Sequence, residues 1–131
     1  MNVLKLYSLT MAVFFAMDML WLGFVARNFY RKYLAAFLSP DVNWPAAVIF
    51  YLLYIGGILY FAVLPAQGNP KWAAQQGAVL GFLCYATYDL TNLATLNRWP
   101  LTVVIVDIIW GTVLTAAVAW ASVWLSRYML S

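Results

Sequence analysis

The chain has 131 residues, of which 66% are hydrophobic and only 8% charged, and its mean hydropathy is +0.85. Soluble domains are about 45–50% apolar and about 25% charged, so this composition excludes an ordinary soluble domain and describes an integral membrane protein. Seven basic and four acidic residues give a net charge of +3. Apart from Arg27, Arg31 and Lys32 the basic residues stand singly, which fits anchoring at a membrane surface and argues against a nucleic-acid partner.

Four apolar segments are long enough to cross a bilayer, for which about 20 residues suffice: residues 3–26, 44–64, 72–96 and 101–126. Lys5 and the apolar run after it resemble a secretory leader. The run is long, however, holds Asp18 and lacks a small-x-small cleavage site, so a retained span is expected. Residues 27–43 then place Phe29, Tyr33 and Phe37 on one stripe and Tyr30, Leu34 and Leu38 beside it, with Arg27, Asn28, Arg31 and Lys32 on a polar side. That pattern predicts an amphipathic helix in the membrane interface, broken by Ser39-Pro40-Asp41, with a lid over the acidic residues as the sharper reading.

The second span carries Tyr51, Tyr54 and a Gly56-Gly57 pair suited to close helix packing. Pro65, Gly68, Asn69 and Pro70 mark the loop to the third span. There Tyr85, Tyr88, Asp89, Asn92 and Thr95 follow the 3/4 spacing of one helical face. Asn97-Arg98-Trp99-Pro100 turns the chain into the fourth span. Trp44, Trp72, Trp99 and Trp124 near the span ends predict an interfacial aromatic belt. The expected fold is a single all-α domain over residues 1–131, a polytopic four-helix bundle. The basic residues divide nearly evenly between its two faces, which leans only slightly to a cytoplasmic Arg31/Arg98 side.

Three aspartates interrupt these apolar helices. Asp18 is nine residues before Arg27, Asp89 is nine before Arg98, and Asp107 is nine after Arg98. If the basic residues mark one membrane face, each carboxyl sits roughly 13 Å inside it. A carboxylate there costs about 2.5–3.5 kcal/mol on insertion scales, and such residues face one another or a polar cavity. Close carboxyls in low dielectric disfavour one another's ionisation. At least one is expected to hold its proton near neutral pH unless Arg98, an ion or a cationic ligand neutralises the layer.

Asp18 and Trp21 are followed by Gly23, and Asp107 and Trp110 by Gly111, so two segments share Asp-x-x-Trp with a glycine close behind. The i, i+3 spacing puts each Asp and Trp on one face. Because the two helices run in opposite directions, the indoles are expected on opposite sides of the acidic layer, bracketing a ligand that could receive a Trp N–H or place a cation on a ring. Asp18, Asp89, Asp107, Asn92 and Tyr54 are expected to form the layer, with Tyr85, Tyr88, Trp21 and Trp110 lining it.

The chain has no histidine and one cysteine, Cys84. That excludes an intrachain disulfide, a CxxC pair, a Cys–His nucleophile and a His-based metal site. No cofactor or metal is expected, although carboxylates are the oxygen ligands that hard cations take.

The chain resembles a family of bacterial membrane proteins, domain of unknown function 2177. The residues that carry the resemblance are Asp18, Trp21 and Gly23; the run Tyr88-Asp89-Leu90-Thr91-Asn92-Leu93-Ala94-Thr95-Leu96; Trp99-Pro100; and Asp107, Trp110 and Gly111. It implies a small four-span protein of the bacterial cytoplasmic membrane and no established activity. Tyr88-Asp89 also resembles one element of intramembrane aspartyl proteases. Their second element, Gly-x-Gly-Asp, is missing, since Val104-Ile105-Val106 precedes Asp107.

The functional expectation is therefore a buried three-aspartate, aromatic-lined site that binds or transports an amphiphilic or lipid-like small molecule, with proton coupling as a variant. Expected partners are membrane lipids, that ligand and a second copy of the chain in a homodimer. The alternatives are a cofactor-free acid/base enzyme acting on a membrane lipid and an accessory subunit whose acids bond a partner's helices.

Overall fold

Asparagine side chains start three of the helices. Asn2 accepts from the backbone N–H of Leu4 and Lys5 and starts α1, Val3–Leu20. Asn43 caps α3, Trp44–Ile58, and Asn69 caps α4, Pro70–Thr95, each with a proline in the first turn where no N–H is needed. Between them, α2 covers Arg27–Leu34, and α5 covers Leu101–Met129. The computed structural model describes residues 2–38 and 41–130. Ser39 and Pro40, expected to break the helix after α2, lie outside the described residues.

Two helices change pitch without stopping. α1 widens into a π-helical turn at Trp21–Val25, and α3 does so at Leu59–Val63 before a tighter turn at Leu64–Ala66. With these extensions, Val3–Val25, Trp44–Ala66 and Leu101–Met129 are long and apolar enough to cross a membrane. α4 is 26 residues long but holds Gln75, Gln76, Asp89 and Asn92 and is less apolar than the other three. The outer surface carries large apolar side chains, with Leu4, Phe24 and Leu53 each more than 70% exposed. A water-soluble bundle would bury such residues, and a bilayer covers them.

The tightest packing joins α4 to α5. A Cβ placed on Gly77 would lie 2.7 Å from the Thr115 carbonyl, and one on Gly81 would lie 2.7 Å from Thr115 Oγ1 and collide with the Gly111 carbonyl. In return, the Tyr85 ring fills the space above Gly111, which no Cβ could share. This small-xxx-small approach is the packing device of apolar helices in lipid, where no hydrophobic drive exists between helices. The sequence points to Gly56-Gly57 for this role instead. Gly57 meets nothing within 4 Å and Gly56 only a Tyr7 ring carbon at 3.8 Å, so that pair does not mediate the close contact.

The main core gathers Leu6 and Phe14 of α1, Ile55 and Ile58 of α3, Ala73 of α4, and Leu114, Val118 and Val123 of α5. A second cluster joins Leu34 of α2 to Trp99, Val103 and Val104, with Phe29, Tyr30 and Tyr33 against it. α2 thus folds back over the start of α5. Trp99, expected in an exposed belt, is only 7% exposed because α2 covers it and the Phe37 ring packs on it.

Candidate functional site

The antiparallel packing of α1 on α5 creates the site. The i, i+3 step from Asp to Trp runs in opposite directions on the two helices, so Trp110 reaches Asp18 while Trp21 connects to Asp107 through Tyr30. The Asp18 carboxyl faces Trp110 and Tyr51. Trp21 Nε1 donates to the Tyr30 hydroxyl at 3.2 Å, and that hydroxyl donates to Asp107 Oδ1 at 2.8 Å. Asp18 and Asp107 are thus held by different groups and do not share one set of partners. The indoles do not bracket a space either. Trp21 and Trp110 stack on each other, with centroids 4.4 Å apart and planes within 8°. Face contact between two large apolar rings is favourable.

Asp18 and Asp107 line one cavity of about 320 Å³, walled by Trp21, Trp110, Tyr51 and Tyr85. Asp18 is 6% exposed. Its charge and that of Asp107 are close enough to interact. Tyr30, Leu34 and Leu38 from α2 and its extension, together with Trp99, form the roof. Burial, then the negative charge of Asp107, pushes the Tyr30 phenol well above the ordinary tyrosine range, so it remains a donor at neutral pH. A second cavity of about 360 Å³ adjoins the first and shares Asp107, Tyr85, Tyr88 and Phe50 with it. Tyr54 and Cys84 complete its lining.

Asp89, expected in one layer with Asp18 and Asp107, stands apart from the cavities. It is fully buried, lines neither cavity and faces Asp107 and Trp99. Neither of its carboxyl oxygens has a hydrogen-bond partner, and the Trp99 indole N–H is also buried without one. No ion pair reaches Asp18, Asp89 or Asp107 among the described residues. The three do not form a metal-ligand set there, because they are arranged as two overlapping pairs, Asp18 with Asp107 and Asp107 with Asp89.

The remaining candidates divide. Tyr85 and Tyr88 line both cavities. Tyr54 lines the second, while its hydroxyl is 2.6 Å from Thr115 Oγ1 and engaged there. Asn92 lies beside Tyr88 and lines neither. Sequence reasoning did not single out Tyr30, Tyr51 or Trp99 as site residues. For Tyr30 a signal existed, because it lies on the apolar stripe of residues 27–38 with an otherwise unexplained hydroxyl. Tyr51 stands one turn before Tyr54 in the Tyr-x-x-Tyr pair, and that spacing alone does not say which of the two meets an acid.

Three long apolar helices with lipid-suited outer faces and acids turned inward define a multi-pass helical membrane protein. The chain belongs to the family described as Predicted membrane protein (DUF2177), whose model matches residues 3–124. No curated protein and no solved structure matches it.

Proposed function

We propose that this protein binds, and in a cycle transports, a small amphiphilic or lipid-like molecule in the cavity between Asp18 and Asp107. The observation that carries this reading is the cavity itself. Its volume suits a small ligand, its walls are aromatic, and two acids face it with no cation beside them among the described residues. Acids in an apolar bundle are costly, and functional sites are where that cost is usually retained. On this reading α4 is the fourth span, with Tyr85 and Tyr88 lining the site and Asp89 buried behind Asp107, and α2 lies in the interface as the roof. The family resemblance supports placing the protein in a bacterial cytoplasmic membrane. A homodimer suits so small a carrier, and the overlapping acid pairs give proton coupling a route through Asp107.

The test is native mass spectrometry of protein released from lipid nanodiscs, wild type beside Asp107→Asn. A discrete molecule retained by the wild type and lost by the variant supports the site. Bulk phospholipid alone in both, with an unchanged oligomer, refutes it and favours the accessory-subunit reading. A lipid acid/base enzyme would retain a ligand in the variant while losing turnover.

A further inference from the structure

We infer that the ligand is a cationic amphiphile that enters sideways from the bilayer through the gap between α3 and α4. This deepens, and rests on, the proposed binding function. α3 closes against α4 only along its last stretch, Leu59–Ala66, while the Trp44–Ile58 part stands off. The second cavity occupies that gap. Its rim residues Phe50 and Tyr88 are each at least half exposed and Cys84 is exposed, on helix faces that a bilayer would cover. Asp107 stands at the back of the gap, and from there the shared residues Tyr85 and Tyr88 lead to the Asp18 cavity.

At the opposite end α2 lies over the cavity. Leu34 and Trp99 are no more than 9% exposed, and Tyr30 is tied to Asp107. The gap gives a polar group a route to the acids from the lipid side, carried by a chain that is soluble there. Charge complementarity sets the sign of the headgroup. Asp18 and Asp107 have no basic partner among the described residues, and the aromatic lining of the cavity is compatible with a cation. The unpartnered Asp89 carboxyl behind Asp107 adds a further acidic group to the same end. An anionic headgroup would meet acids alone, and a neutral one would leave them without a counter-charge.

The experiment uses the full-length protein in phosphatidylcholine vesicles with three diazirine-bearing probes of one chain length, ending in a primary amine, an alcohol or a carboxylate. After illumination, adducts are mapped by peptide mass spectrometry. The amine is expected to label the segments around Phe50 and Cys84–Tyr88 in preference to the other two. Asp107→Asn, which keeps the shape and removes the charge, should lower amine labelling there by about tenfold or more, in line with the loss of one charged hydrogen bond. Asp18→Asn serves the same purpose should Asp107→Asn not assemble. A Phe50→Cys variant joined to the native Cys84 by a bifunctional thiol reagent closes the gap and should abolish labelling of the Asp18 cavity.

Equal labelling by all three probes, insensitivity to both substitutions, or unchanged cavity labelling after closure would overturn the inference. A neutral or anionic molecule retained in the nanodisc measurement would also overturn it while leaving the binding function standing. Absence of any retained molecule there refutes the binding function itself.

Discussion

Replacing Tyr30 by phenylalanine removes one oxygen and leaves the ring in contact with Phe29 and Trp21, so it isolates the hydrogen-bonded link between the roof and the site. In the native protein that oxygen donates to Asp107 at 2.8 Å and accepts from Trp21 at 3.2 Å. A hydrogen bond to a charged acceptor is worth about 1.5–3 kcal/mol, and the longer indole contact adds little beyond the low end of a neutral bond. Tyr30→Phe should therefore destabilise by about 1.5–3 kcal/mol. The cleaner quantity is the coupling. With Asp107→Ala as the second substitution, the double variant should lose less than the sum of the singles, by about 1–2 kcal/mol. The assay is reversible unfolding in mixed micelles with increasing SDS, followed by tryptophan fluorescence. Additivity within about 0.5 kcal/mol would refute the link and with it the idea that α2 is fastened to the acid site.

Alkaline pH tests the same link from the other side. The folded state holds the Tyr30 proton more tightly than the unfolded chain does. The stabilisation is therefore complete below about pH 10, the unfolded tyrosine value, and is lost progressively above it. A stability profile that falls no more steeply above pH 10 in the wild type than in Tyr30→Phe would contradict this. At the α4–α5 contact, Gly81→Ala should cost about 1–3 kcal/mol by overpacking against Thr115 and Gly111, while Gly57→Ala should stay within about 0.5 kcal/mol of wild type. Equal effects in a thermal melt would show that the helices do not meet as described. Asp89→Asn should retain the ligand in native mass spectrometry and leave thermal stability unchanged or higher, because its oxygens have no partners to lose. Loss of the ligand in that variant would put Asp89 in the site after all.

The helices could be read from the sequence because lipid imposes one rule on every residue of a span, and the asparagine and proline signals mark their starts. Placing Asp18 and Asp107 near each other was also legible, since any charge in such a helix must turn inward. The packing partners were not. Gly56-Gly57 looks as suited to close approach as Gly77 and Gly81, and what separates them is the rotation of each helix about its axis. Hydropathy leaves that rotation undetermined when every face is apolar. The same freedom of rotation left the facing of Asp89 open. Its spacing from Arg98 gives only an expected depth, and whether it looks into the cavity or behind Asp107 depends on a rotation of α4 that Tyr85, wedged against Gly111, fixes. Trp99 was misplaced for a different reason: a tryptophan at a span end is a belt residue unless another element covers it, and α2 does so here.

The repeated Asp-x-x-Trp segments gain a physical meaning from this arrangement. On antiparallel helices, two copies of one i, i+3 pair brought side by side place each indole opposite the other copy's carboxyl and both rings within stacking reach. The motif can therefore recur simply because it is self-complementary under that packing. What it does not explain is the asymmetry. Asp18 is met by Trp110 and Tyr51 within the bundle, whereas Asp107 is met by Tyr30, a residue of the roof. One acid is held by the body of the bundle and the other by its cover. A ligand cation that took over the bond to Asp107 would release Tyr30, and with it the tie that holds α2 down. Occupancy of the cavity and closure of the roof would then be opposed, as a molecule needs in order to arrive from the lipid and leave toward the face that α2 covers. The prediction is that a saturating long-chain amine increases hydrogen exchange of the α2 amides in the wild type and not in Tyr30→Phe. Equal exchange with and without the amine, at a concentration where photolabelling is complete, would disconnect the roof from the site.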